Sequence, residues 1–168
     1  IYVVEEIYDT FLEKVLVAGQ GLKQGSQYGY NESIGAVFWD KQLEIIERHV
    51  SDAKSKGATI LMGGSRNEDL KGLYYRPTVI TEVNNDMDIM VEETFGPILC
   101  IQKVRDEVEA IKLANDSKYG LAAGIFTKNS AKSLRMTKAI KAGIIWVNTY
   151  RAVSPIAQFG GFKQSGFG

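Results

Sequence analysis

The chain has 168 residues, enough for a hydrophobic core, and its 45% apolar and 24% charged content is that of an ordinary soluble globular protein. Twenty basic residues balance twenty acidic ones and no long basic block occurs, which argues against a nucleic-acid or anionic-membrane partner. No apolar run reaches the roughly 18 residues a bilayer span needs, and the single cysteine, Cys100, excludes an internal disulfide framework and suits the cytoplasm.

Residues Ile1–Val4 are a β-branched and aromatic run, hence a strand; acidic Glu5 and Glu6 follow at once, so the opening does not read as a secretory signal. Over Tyr8–Leu16, Phe11, Leu12 and Val15 recur at helical spacing. The five glycines of Ala18–Gly35 predict a loop. Asp40 is placed to cap a helix in which Leu43, Ile46, Val50 and Ala53 form one apolar stripe and Gly57 is the terminator. Thr59–Met62 reads as a short buried strand and Gly63-Gly64 as a turn. Leu73–Thr81 is extended, and Pro77 within it suggests an edge or irregular strand. Ile98–Val104 reads as one continuous strand. Asp106 with Glu109 fits a capping box opening a helix to about Asn115. A strand over Leu121–Phe126, a helix from Ser130 to Ile140 stopped by Gly143, and a strand over Ile144–Val147 complete the pattern. Helices alternating with short apolar strands predict one α/β domain, a mainly parallel sheet with helices on both faces. The chain opens inside a strand and stops within a glycine pattern, as expected of a piece of something larger.

Three local patterns go beyond fold class. In Glu92-Glu93-Thr94-Phe95-Gly96-Pro97 a rigid turn can aim a carboxylate and an aromatic ring at one point, the carboxylate for ribose hydroxyls and the ring for a flat heterocycle. The alternative is a solvated acidic turn with a core phenylalanine. The run Asn115 to Phe126 is a helix exit, a glycine turn and a strand, with Gly124 permitting close backbone approach. Finally, Gly143 to Tyr150 runs a parallel strand into a loop that reaches Phe159-Gly160-Gly161-Phe162-Lys163-Gln164-Ser165-Gly166. Loops beyond the carboxyl ends of parallel strands are where α/β sheets bind ligands. Asn148 at that strand end is read as satisfying buried backbone groups.

In this order the patterns resemble the aldehyde dehydrogenase superfamily: E-E-x-F-G-P, N-x-x-x-Y-G-L-x-A and G-x-x-x-x-N with F-G-G-x-K-x-S-G-x-G all match. The opening Ile1 to Phe11 also resembles the strand and helix that follow the family's catalytic cysteine. The resemblance implies the C-terminal part of a three-layer αβα catalytic domain. It implies that Glu93 binds the nicotinamide ribose of NAD or NADP and that Phe95 packs near the nicotinamide ring. It places Tyr150, Val153 and Phe159 along the tunnel of a small-molecule aldehyde substrate. Gly160, Gly161, Lys163, Ser165 and Gly166 shape the turn beneath. The acidic-aromatic turn and the Phe159 loop are expected to face one cavity. The nucleophilic cysteine, base glutamate, oxyanion asparagine and dinucleotide fold would lie upstream of Ile1, leaving no catalytic residue and no metal site here. The segment alone is therefore expected to be inactive, and the parent to be a homo-oligomer.

Cys100 lies in an apolar strand and is read as an inert core thiol rather than a nucleophile. His49, the only histidine, sits between Arg48 and Val50 and is read as a solvated surface residue. The glycine-rich Gly19–Gly35 segment, Ala36 and Gln158 depart from the family pattern, the last two where proline is common. Fold does not fix function, so a non-catalytic binding or structural protein on the same fold is the alternative.

Overall fold

The computed structural model describes residues 1–26 and 31–168, so part of the glycine-rich Ala18–Gly35 segment lies outside the described residues. The chain forms two compact units, Ile1–Lys103 and Val104–Gly168.

The first unit begins with β1 (Tyr2–Val4), α1 (Glu5–Gln20), α2 (Asp40–Ser55) and β2 (Thr59–Met62). It continues with β3 (Thr78–Thr81), the short α3 (Asp88–Val91), β4 (Ile98–Cys100) and β5 (Gln102–Val104), the last straddling the boundary. β3 is the central strand of β2-β3-β4, antiparallel to β2 and parallel to β4. Its alternating side chains serve two cores. Ile80 packs with Leu43, Ile46, Val50 and Ala53 of α2, while Val79 packs with Val3 and Tyr8, against which Phe11, Leu12, Val15 and Leu16 of α1 rest. The sheet is thus covered on both faces, as the α/β pattern predicts.

Several boundaries differ from the sequence reading. Helix α1 runs on to Gln20, because Gly19 serves packing rather than a turn: a Cβ there would meet the Met62 side chain of β2. Trp39, not Asp40, holds the N-cap of α2, and Asp40 contributes instead as a first-turn carboxylate at the positive end of the helix. The β2 strand is not buried but alternates exposed and half-buried residues. Pro77 does not mark an edge: β3 starts just after it and is buried throughout. The Ile98–Val104 run is two strands, since β4 pairs with β3 and β5 with β1.

The second unit holds α4 (Glu107–Asn115), β6 (Ala122–Ile125), α5 (Ser130–Ala139), β7 (Ile144–Val147) and a 3-10 turn at Lys163–Ser165. β6 and β7 pair in parallel, Ala122 opposite Ile144 through Ile125 opposite Val147. Asp106 caps α4 by accepting from the backbone N–H groups of Val108 and Glu109. The box closes one residue early, because Glu109 accepts from the N–H of Arg105. Asn129 caps α5 through the Lys132 N–H.

Ile46 is wholly buried at the centre of the α2 core. Ile46→Ala is expected to cost about 2–5 kcal/mol of unfolding free energy, read from urea denaturation of the protein carrying this segment.

Candidate functional site

The turn from Glu92 to Pro97 joins α3 to β4 and rests on one stripe of α2. Gln42 Nε2 donates to the Thr94 carbonyl, Ile46 lies so close to Gly96 that a Cβ there would fall 2.6 Å from its Cδ1, and His49 Nδ1 is 2.9 Å from Thr94 Oγ1. These three residues stand at i, i+4 and i+7, which places them on one helix face. The turn is tied to the sheet as well, because the Thr78 N–H donates to the Pro97 carbonyl at 2.9 Å. With Thr94 drawn inward, its neighbours face out. Glu93 is exposed, and Phe95 is 70% exposed with a left-handed φ of 48° that a non-glycine residue adopts only when its surroundings impose it. Phe95 is therefore no core residue, and the turn presents a carboxylate and an aromatic ring from a fastened base.

His49 is not a solvated surface residue. It is 1% exposed, the most deeply buried polar side chain among the described residues. Its position three residues after Ile46 puts it on the core face of α2. Burial first, and the Arg48 guanidinium second, hold its pKa below the ordinary 6.5, while Asp88, Glu92 and Asp52 oppose them. Sequence reasoning also passed over Gln42 and Thr94. The signal for them was the spacing of Gln42, Ile46 and His49, two polar residues in register with an apolar stripe.

In the second unit, the two remaining family signatures lock onto each other. Ser165 Oγ accepts from the Gly120 N–H at 3.0 Å, and Lys163 Nζ donates to the carbonyls of Asn115 and Ser117 at 2.8 Å each. The Phe162 N–H donates to the Gly120 carbonyl and the Gln164 N–H to that of Lys118. Gly143 abuts Gly160 so closely that no side chain fits. At Gly161 a Cβ would fall 2.8 Å from Ser165 Cβ and 3.1 Å from the backbone of Gly120 and Leu121. The glycines, Lys163 and Ser165 thus bind the turn together, a structural role.

Above that turn, the loop after β7 carries Tyr150, Val153 and Phe159, all exposed. Asn148 does satisfy backbone groups, although exposed rather than buried ones: its side-chain N–H donates to the Thr127 carbonyl and its side-chain carbonyl accepts from the Thr127 N–H, both at 2.9 Å. Trp146 Nε1 donates to the Ala152 carbonyl at 2.7 Å and its ring meets Tyr150 edge-on, centroids 5.2 Å apart. Gly124 lies beneath Tyr150; a Cβ there would sit 3.3 Å from the Tyr150 ring. Tyr150 and Trp146 thus share one well-fixed platform. Glu93 and Phe95 belong to the first unit, and Tyr150, Val153 and Phe159 to the second.

Cys100 is half-buried in β4, and burial pushes its thiol up to about 11. At neutral pH almost none of it is thiolate, the form a nucleophile requires.

These features define an α/β segment that carries two fastened, outward-facing loops. The aldehyde dehydrogenase family model matches residues 1–168. The chain is 42% identical over its whole length to an aldehyde dehydrogenase of Emericella nidulans, and 44% identical over 165 residues to the peroxisomal aminoaldehyde dehydrogenase 2 of Pisum sativum. These matches span 34% and 33% of those relatives. Among solved structures, a point mutant of the betaine aldehyde dehydrogenase of Staphylococcus aureus, in complex with NAD+, superimposes with a TM-score of 0.95 at 38% identity. That match covers all of this chain and 35% of the other. A succinate-semialdehyde dehydrogenase of Burkholderia pseudomallei matches 99% of the chain, and 34% of its own, with a TM-score of 0.95 at 36% identity. The chain belongs to the aldehyde dehydrogenase family. It spans about a third of the length of the curated relatives it matches.

Cys100 is expected to resist alkylation. With a thiol near 11, about one molecule in a thousand is ionised at pH 8. Iodoacetamide followed by peptide mass spectrometry should leave Cys100 unmodified in native protein over a time that labels it fully in urea.

Proposed function

We propose that this chain is a segment of an NAD(P)-dependent aldehyde dehydrogenase, a protein that oxidises a small aldehyde to a carboxylic acid. In this reading Glu93 accepts hydrogen bonds from the ribose hydroxyls next to the nicotinamide, and Phe95 packs on that flat ring. The bound cofactor supplies the hydride acceptor. The observation that supports this reading best is the outward aim of Glu93 and Phe95 from a turn whose base is fastened to α2 and to β3. A donor-rich ribose edge and a flat heterocycle are the chemistry that an exposed carboxylate and ring, two residues apart, fit.

Tyr150, Val153 and Phe159 supply apolar walls for the aldehyde, and the Trp146 hydrogen bond and Gly124 contact hold the first of them in place. The thiolate that adds to the aldehyde, and the carboxylate that activates water to hydrolyse the resulting thioester, are assigned to parts of the protein outside this chain. The unreactive state of Cys100 supports that assignment. On this reading the 168-residue segment contributes cofactor and substrate contacts but no covalent chemistry.

Two measurements check the proposal. In the full-length enzyme, Glu93→Gln should raise the cofactor KM roughly tenfold or more, as expected for loss of hydrogen bonds to a charged acceptor, with a much smaller change in the aldehyde KM. The isolated segment, mixed with several aldehydes and either NAD+ or NADP+, should show no absorbance gain at the reduced-nicotinamide band. Turnover by the segment, or an unaltered cofactor KM in Glu93→Gln, would overturn it.

A further inference from the structure

We infer that His49 is a positioning residue for the cofactor-binding turn: its hydrogen bond to Thr94 holds the Glu93–Phe95 turn in its binding form, and acid releases it. The inference rests on the reading that Glu93 and Phe95 contact the dinucleotide.

The proton arrangement follows from donor chemistry. Arg48 Nη2 lies 3.2 Å from His49 Nε2, and a guanidinium only donates, so Nε2 must accept. The ring is then neutral, its single proton is on Nδ1, and that N–H donates to Thr94 Oγ1 at 2.9 Å. Protonating Nε2 would set two donors, both on cations, against each other. The carboxylates around the ring offset this only in part. Arg48 and Asp52 flank it on α2, Asp88 stands on α3 and Glu92 caps that helix. Asp88 is engaged by Arg48 at 3.0 Å, and Asp52 by Lys56 at 2.7 Å and by the Asp88 N–H at 2.8 Å. With 1% of its surface exposed, the imidazolium would also lack water.

The sign follows. A histidine whose folded pKa lies below its ordinary 6.5 binds fewer protons folded than unfolded. Its full contribution is present above 6.5 and is lost as pH falls from 6.5 through the lowered value. Protonation leaves the Nδ1–H in place, so the bond to Thr94 is lost because the imidazolium, pressed against the Arg48 guanidinium and cut off from water, leaves its buried seat and frees the turn between the two residues that face the cofactor. Cofactor affinity should therefore weaken on acidification, through a histidine that never touches the cofactor.

The test uses full-length enzyme and equilibrium binding of NAD+ and NADP+, followed by intrinsic fluorescence from pH 5 to 8.5, alongside amide exchange of residues 93–96 without cofactor. Thr94→Val keeps the shape of the side chain and deletes the acceptor. It should weaken binding about threefold to tenfold at pH 8 and speed exchange in the turn, leaving the aldehyde KM in place. Thr94→Ser should restore both. His49→Phe should weaken binding similarly, and His49→Asn, which keeps an N–H near the Nδ1 position but does not titrate, should recover most of it and abolish the acid step. Circular dichroism separates a misfolded His49→Phe from a folded one, and Thr94→Val tests the same bond from the surface side. If Thr94→Val and His49→Asn bind and exchange as the parent does across the pH range, the inference fails. If Glu93→Gln weakens binding in that same series, the cofactor assignment survives that failure; if Glu93→Gln is also silent, both fall.

Discussion

One face of α2 governs what the first unit can present. The helix buries Gln42, Leu43, Ile46, His49, Val50 and Ala53. The apolar members anchor it to β3 through Ile80, and the polar members reach past that core to the turn ahead of β4. A loop that must expose a phenylalanine in a left-handed conformation cannot hold itself; the cost of order 1–3 kcal/mol has to be met by contacts beneath it. Those contacts are the Gln42 bond to the Thr94 carbonyl, the Ile46–Gly96 apposition and the His49–Thr94 bond. Remove the stripe, and the turn keeps its backbone bonds to β3 and α3 at its two ends but loses what holds Thr94, between Glu93 and Phe95.

Putting amides and imidazoles on a core face is expensive unless each finds a partner. Here each does. Gln42 spends its donor on a backbone carbonyl, and His49 has one nitrogen on Thr94 and the other on Arg48. Leucines at those two positions would pack with less electrostatic cost, but a leucine contact has no direction and would let the turn slide. The hydrogen bonds fix Thr94 at two atoms, its carbonyl and its hydroxyl, and two fixed atoms define an orientation. Specific geometry at Glu93 and Phe95 follows from that orientation, so the polar content of α2 is better understood as aim than as stability.

Legibility in the sequence tracked how local each feature is. Strand β7, helix α4 with its Asp106 cap and the Leu43–Ala53 stripe were readable, because period, cap chemistry and terminator lie within a dozen residues. The signature turns were readable as patterns, and so were Asn148 and Cys100. The failures share a cause. Gly19 looked like loop punctuation because its reason for being glycine, Met62, is more than forty residues away. Pro77 suggested an edge because nothing nearby shows that β4 would pair with the strand beginning at Thr78. The polarity of His49 points to solvent, whereas its spacing from Ile46 points to the buried face, and position prevails over side-chain type. Its partner Thr94 lies 45 residues on, beyond the reach of any window.

The same distance rule separates two kinds of signature glycine in the second unit. In a turn defined by its own residues, such as Gly166 with φ 76°, glycine answers a local backbone demand. Gly143 and Gly161 have no such demand; they are glycine because Gly160 in one case, and Ser165 with Gly120 and Leu121 in the other, occupy the space a side chain would need. The Asn115–Gly120 stretch and the Phe159–Gly166 stretch are therefore one structure written in two places, and each is stable only against the other. A change of size at either side must displace the loop after β7 along with the turn beneath it, since Phe159 leads directly into Gly160. The packed turn thereby sets where Phe159 stands, just as α2 sets where Phe95 stands. In both units an exposed aromatic, Phe95 or Phe159, stands one residue from a glycine whose close packing sets its position.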